Sequence, residues 1–413
     1  MIRKKLIGPF KQLLTMDNLP LKGALSDSQL NIIENAGIYT DGDFIEMIGT
    51  FDSMLEDAEK NNFIIEELSG SYIALPGFID PHTHICWAGN RSNDYAMRLE
   101  GKSYIEIAES GGGIWSTVEN TRQKYINELT KLTAERAERM LIEGVTTIEV
   151  KSGYGLSKDD ELKILQAIDN ADRRIQADLI PTCLAAHIKP KDFGGTDVDY
   201  LNNIIEELLP KIIEKGLANR VDIYCDKGAF TATDALKFLL QVQQMGFEIV
   251  VHADQFTTGG SEIAVKADAV SADHLEVSGE KEIGLLAQSS VIPVALPASS
   301  IGLGYQFAPA RKLLDRGASL AIGSDWNPGS APMGDLLISA AILGAYQRLT
   351  TAETLSAITY RAAAALNLKD RGIIKPGNIA DIIGFELDDY KDILYNQGKI
   401  KPSKIWKNGI LVQ

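Results

Sequence analysis

Gly77-Phe-Ile-Asp-Pro-His-Thr-His84 joins a short apolar run to two histidines set one residue apart. Alternate residues of an extended chain point the same way, so His82 and His84 present two imidazoles to one point. The construction recurs down the chain: His187 follows a run at 179–185, His252 one at 248–251, His274 one at 269–272, and Asp325 one at 318–322. Runs at 71–78, 145–150, 221–224 and 291–296 bring the strand candidates to eight. Between them lie amphipathic stretches read as helices, among them 129–143 and 158–172. Strand and helix alternating in this way predict an α/β fold, a (β/α)8 TIM barrel. In that architecture all strands end on one rim, where the active site is built. All five histidines and Asp325 would converge there.

The flanks read differently. Residues 1–75 hold short strands and turns, with a hairpin at 36–49 around Asp41-Gly42-Asp43. Residues 372–413 have the same texture, including an Asn408-Gly409 turn. Neither end has enough strands for a stable sheet of its own. The expectation is therefore a small composite β-sandwich domain built from 1–75 and 372–413, flanking a barrel at 76–371.

With 41 Lys+Arg against 56 Asp+Glu among 413 residues, the formal charge is −15. Apolar residues at 45% and charged residues at 23% are ordinary for a soluble globular chain and exclude collagen, a disordered chain and a disulfide-rich mini-protein. The acidity argues against nucleic acid or an anionic membrane as partner. An anionic small substrate would need a local basic residue. Cys86, Cys183 and Cys225 are an odd, widely spaced set without a CxxC pair, which fits reduced thiols in the cytoplasm. No signal peptide is read at the N-terminus, and no apolar run approaches the roughly 20 residues of a membrane helix.

His82, His84 and His252 with the carboxylate of Asp325 suit one divalent metal per chain, Zn2+ or Fe2+. Such a set leaves a position for water, whose pKa the metal lowers towards ~7. Each residue has a plainer reading: an incidental His-x-His, a histidine satisfied at a barrel mouth, an aspartate capping the turn before Pro328. These have to hold simultaneously at the ends of separate strands, which weakens them together. His274 reads as an unligated histidine able to polarise a carbonyl or relay a proton. A fifth ligand or a structural histidine competes with that.

The ligand pattern and the two-ended β-domain resemble the amidohydrolase superfamily. More narrowly, the chain is similar to the branch that opens the imidazolone ring in histidine degradation. The stretches that carry this are 78–91, 110–122, Glu149-Val-Lys-Ser-Gly-Tyr-Gly155, Ala185-Ala-His187, His252-Ala-Asp-Gln255, Ala272-Asp-His-Leu-Glu276 and Gly323-Ser-Asp-Trp-Asn-Pro-Gly329. The resemblance implies hydrolysis of 4-imidazolone-5-propanoate to N-formimidoyl-L-glutamate, and a homodimer. It implies that Arg91 holds the substrate carboxylate and that Tyr104, Tyr154, His187 and Gln255 line the ring pocket. Asn327, Gly329 and Ser330 would contact the substrate tail or product. Asp325 would take the proton of the attacking water and His274 would steady the oxyanion, with Gln255 also in the catalytic set.

Arg91 also has a commoner reading as a surface ion pair, and the two tyrosines as core. In the superfamily's deaminases the residue three after the strand-five histidine is typically a glutamate; here it is Gln255, whose amide cannot carry a proton. That weakens a nucleobase or aromatic-ring deaminase. A two-metal dihydroorotase- or hydantoinase-like amidase needs a carboxylated lysine after strand four, where Lys227 has the wrong offset and Asp226 is as plausible an inward residue. Lys151 ends the second candidate strand, not the fourth. A degenerate barrel scaffold would have lost ligands, and none is lost. Glu100-Gly-Lys-Ser103 mimics the end of a phosphate-binding loop, but Ala96 stands where the first glycine belongs, so a polar turn is expected. Ser110-Gly-Gly-Gly113 is read as a loop covering the substrate.

Overall fold

Pro76-Gly77 is where the chain leaves one sheet and enters another. The computed structural model describes residues 4–102 and 104–413, with the backbone alone at Tyr104, Ile105 and Ala108. The N-terminal strands are β1 (Lys5–Leu14), β2 (Ile32–Asp41), β3 (Phe44–Thr50), β4 (Ile64–Glu67) and β5 (Tyr72–Pro76). The barrel strands are β6 (Phe78–Asp80), β7 (Val145–Lys151), β8 (Asp178–Ala186), β9 (Arg220–Cys225), β10 (Glu248–Ala253), β11 (Ser271–His274), β12 (Ile292–Ala295) and β13 (Ala321–Ile322). The chain closes with β14 (Ile382–Glu386), β15 (Lys404–Lys407) and β16 (Ile410–Leu411).

The strands of the two ends share one sheet, ordered β16-β15-β14-β5-β1-β2-β3 with β4 beside β1. The ends meet where β14 runs antiparallel to β5, from Ile382 opposite Pro76 to Glu386 opposite Tyr72. Inside this sheet Trp406 is fully buried, its ring edge-on to Phe10 with centroids 5.7 Å apart. The hairpin read around Asp41-Gly42 is β2 and β3, and the one around Asn408-Gly409 is β15 and β16.

The first barrel run needs correction. Residues 71–78 were expected to be one barrel strand, but 72–76 belong to the terminal sheet and the barrel begins at Phe78. Proline and glycine break the ladder between them. At Gly77 a Cβ would stand 2.3 Å from the Thr146 hydroxyl, so only glycine lets the chain cross there. The other seven runs fall on β7 to β13 with ends shifted by a few residues.

β6 to β13 are parallel and in sequence order. The cylinder closes through a bridge between Thr83 and Trp326. At that closure the Asp325 N–H donates to the His82 carbonyl at 2.9 Å, and the His84 N–H donates to the Trp326 carbonyl at 3.0 Å. Outward residues such as Ile148, Val150, Ile249 and Val251 pack with the helices that link the strands, including Ile126–Ile142 and Lys158–Asp172. Helix Tyr360–Ala365 packs against β6, β12 and β13, and its alanines join Ile79, Ile292 and Val294 in an apolar cluster. No helix among the described residues is long and apolar enough to cross a membrane.

Candidate active site and metal centre

The closure of the barrel builds half of the site. Because His82 and Asp325 are tied backbone to backbone, their side chains share the rim where β6 and β13 end. Asp325 Oδ1 lies 3.6 Å from His82 Nε2 and 3.4 Å from His84 Nε2. His252, from the inward face of β10, completes a buried trio with ligand atoms of His82, His84 and His252 all within 4.8 Å of one another.

The chemistry of this donor set fits a divalent cation. His82 Nε2 and His84 Nε2 stand 3.3 Å apart. His82 Nδ1 lies 2.7 Å from the Asp273 carboxylate, so it carries the ring proton and Nε2 offers a lone pair. Two nitrogens held by tetrahedral zinc at ~2.0–2.1 Å are themselves about 3.3 Å apart. His252 Nε2 and Asp325 Oδ1 are buried polar atoms without a hydrogen-bond partner among the described residues, as donors kept for an ion would be. Burial keeps His252 neutral, its pKa lowered to about 4 although Asp222 works the other way. Burial would raise the Asp325 carboxyl, but the His84 imidazole 3.4 Å away, with His274 and His252, holds it down at about 2.

His274 reaches the site by a backbone twist. Asp273 points inward to His82, so the next side chain of a regular strand would point out. Instead His274 has φ 85° and Leu275 φ 74°, which turns the imidazole back to within 5.3 Å of the His252 ring. Asp325 itself is left-handed, at φ 49°. His274 Nδ1 lies 3.2 Å from Glu276 Oε1. Burial opposes a charge there, yet Glu276, with Asp325 and Asp273, pushes the pKa up to about 9.

The residues expected around the substrate divide into three groups. Tyr154 and His187 face the metal trio: the His187 ring stacks on His84 with centroids 5.6 Å apart, and Tyr154 is 5.7 Å from His187. His187 Nδ1 lies 3.0 Å from the Gly153 carbonyl, and burial, with His84 and His252, lowers its pKa to about 3. Gln255 is buried at the end of β10, where its Oε1 accepts the Tyr224 hydroxyl at 2.7 Å and its Nε2 donates to Ser299 at 3.4 Å. Arg91 gives its Nε to Asp94 at 2.8 Å and lays the rest of its guanidinium on Gly329, where a Cβ would stand 2.5 Å from Nη1. Asn327 is occupied within its own turn, donating to the Asp325 carbonyl and Ser330 Oγ and accepting the N–H groups of Gly329 and Ser330. Ser330 Oγ reaches Asp325 Oδ2 at 3.4 Å. The Tyr104 side chain lies outside the described residues. Loop 110–113 docks on the same aspartate as Arg91, through the Gly113 N–H to Asp94 at 2.8 Å.

Lys227, the candidate bridging lysine, is exposed, and Asp226 ties its loop after β9 to the loop after β10 by accepting from the Phe256 N–H and Thr257 Oγ1. Lys151 is buried and ion-paired.

Behind the trio stands a layer that sequence reading missed. Asp80 accepts the backbone N–H groups of His82 and Ser324. Asp222 lies 2.8 Å from His252 Nδ1, and Asp273 and Asp222 share the buried Lys151. Tyr224 faces both His187 and His252. The signal was present: acids and a lysine inside otherwise apolar strands, at inward positions, are rare unless they are paired.

A model of the amidohydrolase family matches residues 73–412, and the chain belongs to that family. Within it the chain belongs with the imidazolonepropionases: it is 34% identical to the one from Clostridium tetani, covering 97% of this chain and 96% of the relative. It is 40% identical to that of Deinococcus deserti over 83% of this chain and 85% of the relative, and 36% identical to that of Bacillus cereus over 96% and 94%. Among solved structures, a triazine hydrolase variant superposes with a TM-score of 0.75 at 17% identity, covering 99% of this chain and 94% of the other. Atrazine chlorohydrolase from Arthrobacter aurescens complexed with zinc does so with a TM-score of 0.71 at 17% identity, covering 99% and 95%. These distant likenesses concern the barrel and its companion sheet.

Proposed function

We propose that this chain opens the ring of 4-imidazolone-5-propanoate to give N-formimidoyl-L-glutamate, the imidazolonepropionase reaction of histidine degradation. The observation that carries the reading is the meeting of three imidazoles and one carboxylate at the barrel rim, with Arg91 packed on Gly329 in the loop that follows Asp325. The chain's likeness to imidazolonepropionases over nearly its whole length supports the choice of substrate.

His82, His84, His252 and Asp325 hold the cation, zinc or ferrous iron. Bound there, it would lower the pKa of a water towards ~7 and polarise the lactam carbonyl. Arg91, seated where Gly329 has no Cβ, receives the propanoate carboxylate on its Nη groups. His187, with its proton fixed on the Gly153 carbonyl, offers Nε2 as acceptor to a ring N–H. Gln255, its oxygen taken by Tyr224, offers an N–H to a ring acceptor, and Tyr154 closes the pocket beside His187. Asp325 accepts the proton of the attacking water. The charged His274, braced by Glu276, donates to the oxyanion as it forms. Water adds its oxygen to the carbonyl carbon, the ring C–N bond breaks, and the departing nitrogen takes the proton. The Asn327–Ser330 turn acts by supporting Arg91 and Asp325, and loop 110–113 covers the bound substrate. A cytoplasmic enzyme with neither nucleic acid nor membrane as partner accords with the acidic charge and the three buried, unpaired cysteines, and the homodimer rests on the family resemblance alone.

The test is product identification. Protein loaded with zinc or with iron(II) is incubated with imidazolone propanoate, cytosine, guanine and dihydroorotate, and products are read by NMR. Formimidoylglutamate from the first alone is expected. Ammonia from a nucleobase, or a ring-opened dihydroorotate, would overturn the assignment.

A further inference from the structure

We propose that Lys151 is a positioning residue for the metal site, aiming the His82 and His252 rings by clamping the two carboxylates behind them. The inference rests on the reading that His82, His84, His252 and Asp325 hold a cation.

Lys151 ends β7 and is fully buried. Its Nζ lies 2.8 Å from Asp222 Oδ2, 2.8 Å from Glu149 Oε1 and 3.8 Å from Asp273 Oδ2. Those aspartates are the partners of the two rings: Asp222 is 2.8 Å from His252 Nδ1 and Asp273 is 2.7 Å from His82 Nδ1. One ammonium on the second barrel strand therefore reaches acids on the fourth and sixth, and through them imidazoles presented by the first and fifth. Glu149, its third partner, accepts the N–H of Thr83, which sits between His82 and His84. A ring's Nε2 lone pair points wherever the partner of Nδ1 holds it, and that partner is a carboxylate free to rotate unless something fixes it. Lysine suits the task because three rotatable N–H donors on a narrow stem can serve three acids at the centre of a packed cylinder.

Charge and position act in opposite directions here, which makes the role separable. As a point charge Lys151 repels a divalent cation, so its removal would tighten binding. As a clamp, its removal loosens the rings and weakens binding. The variants are Lys151→Met and the pair Glu149→Gln with Lys151→Met, which leaves the formal charge of the barrel interior unchanged. Cobalt(II) is the probe: its affinity is measured by chelator competition, its geometry by the visible absorption of the bound ion, and the unfolding midpoint with and without cobalt. Both variants are expected to bind cobalt about tenfold or more weaker, with a shifted visible spectrum and a smaller gain in midpoint on loading. If the single variant fails to fold, the charge-conserving pair decides. Equal or tighter cobalt binding with an unmoved spectrum would overturn the role, as would a drop in midpoint that is the same with and without the ion. If the unaltered protein takes up no cobalt, the metal reading itself falls, which is a distinct outcome.

Discussion

Arg91 and Gly329 show how one missing side chain can seat another. The guanidinium rests where a Cβ on Gly329 would be, 2.5 Å from Nη1. Gly329→Ala must therefore push Arg91 aside while leaving the metal trio alone. The expected result is a KM for imidazolone propanoate raised at least about tenfold with kcat nearly unchanged, because only carboxylate binding is lost. Steady-state kinetics check this, and an equal fall in kcat would contradict it. Residues at this scale were legible in proportion to their chemistry. His82, His84, His252 and Asp325 stood out because imidazoles and a carboxylate at strand ends have few bland explanations. His274 was legible as a histidine but not as a twisted one, since φ 85° leaves no trace in the sequence. Asn327 was expected to touch ligand, yet its amide is fully used within its own turn, a fate that spacing alone does not reveal.

At the scale of elements, period-two inward positions and turn dipeptides carried most of the reading. The runs at 179–185 and 248–251 lie within strands because buried parallel strands are nearly continuous apolar stretches. The run at 71–78 misled because apolarity alone does not say which sheet a strand joins. Pro76-Gly77, lying inside it, was the overlooked punctuation. Another element is held by charge. Glu353 caps helix Thr351–Ala357 by accepting the Thr350 N–H, accepts the Leu25 N–H, and takes a two-pronged bond from Arg311. Burial works against its charge, but Arg311 and the two N–H groups hold its pKa below the ordinary glutamate value. A depressed folded-state pKa adds stability above the unfolded value of about 4.3, and that stability is lost as pH falls through the folded value. Glu353→Gln should cost about 1–3 kcal/mol at neutral pH, and its deficit against the unaltered chain should shrink as pH falls from about 5 to about 3. Urea unfolding midpoints across that range check it; a deficit independent of pH would contradict it.

For the whole molecule, the central point is that closing the barrel also brings His82, His84 and Asp325 together at the proposed metal site. The bonds that seal β6 to β13 run through the backbones of His82, His84, Asp325 and Trp326. The alternation of strand and helix made the cylinder legible, and the texture of the two ends made their shared sheet legible. The buried ionic layer beneath the ligands was not, because which inward acids meet depends on strand register. An ion bound only by the closed barrel stabilises it through linkage, by about 4 kcal/mol when free metal is a thousandfold above its Kd. Chelator-stripped protein should accordingly unfold at lower temperature and recover on reloading with zinc or iron(II). The most direct measurement is metal stoichiometry joined to X-ray absorption on the loaded protein. One equivalent per chain is expected, with nitrogen and oxygen neighbours at about 2.0–2.2 Å and binding lost in His252→Ala. Two equivalents per chain, or one whose spectrum is unaltered in His252→Ala, would contradict the account.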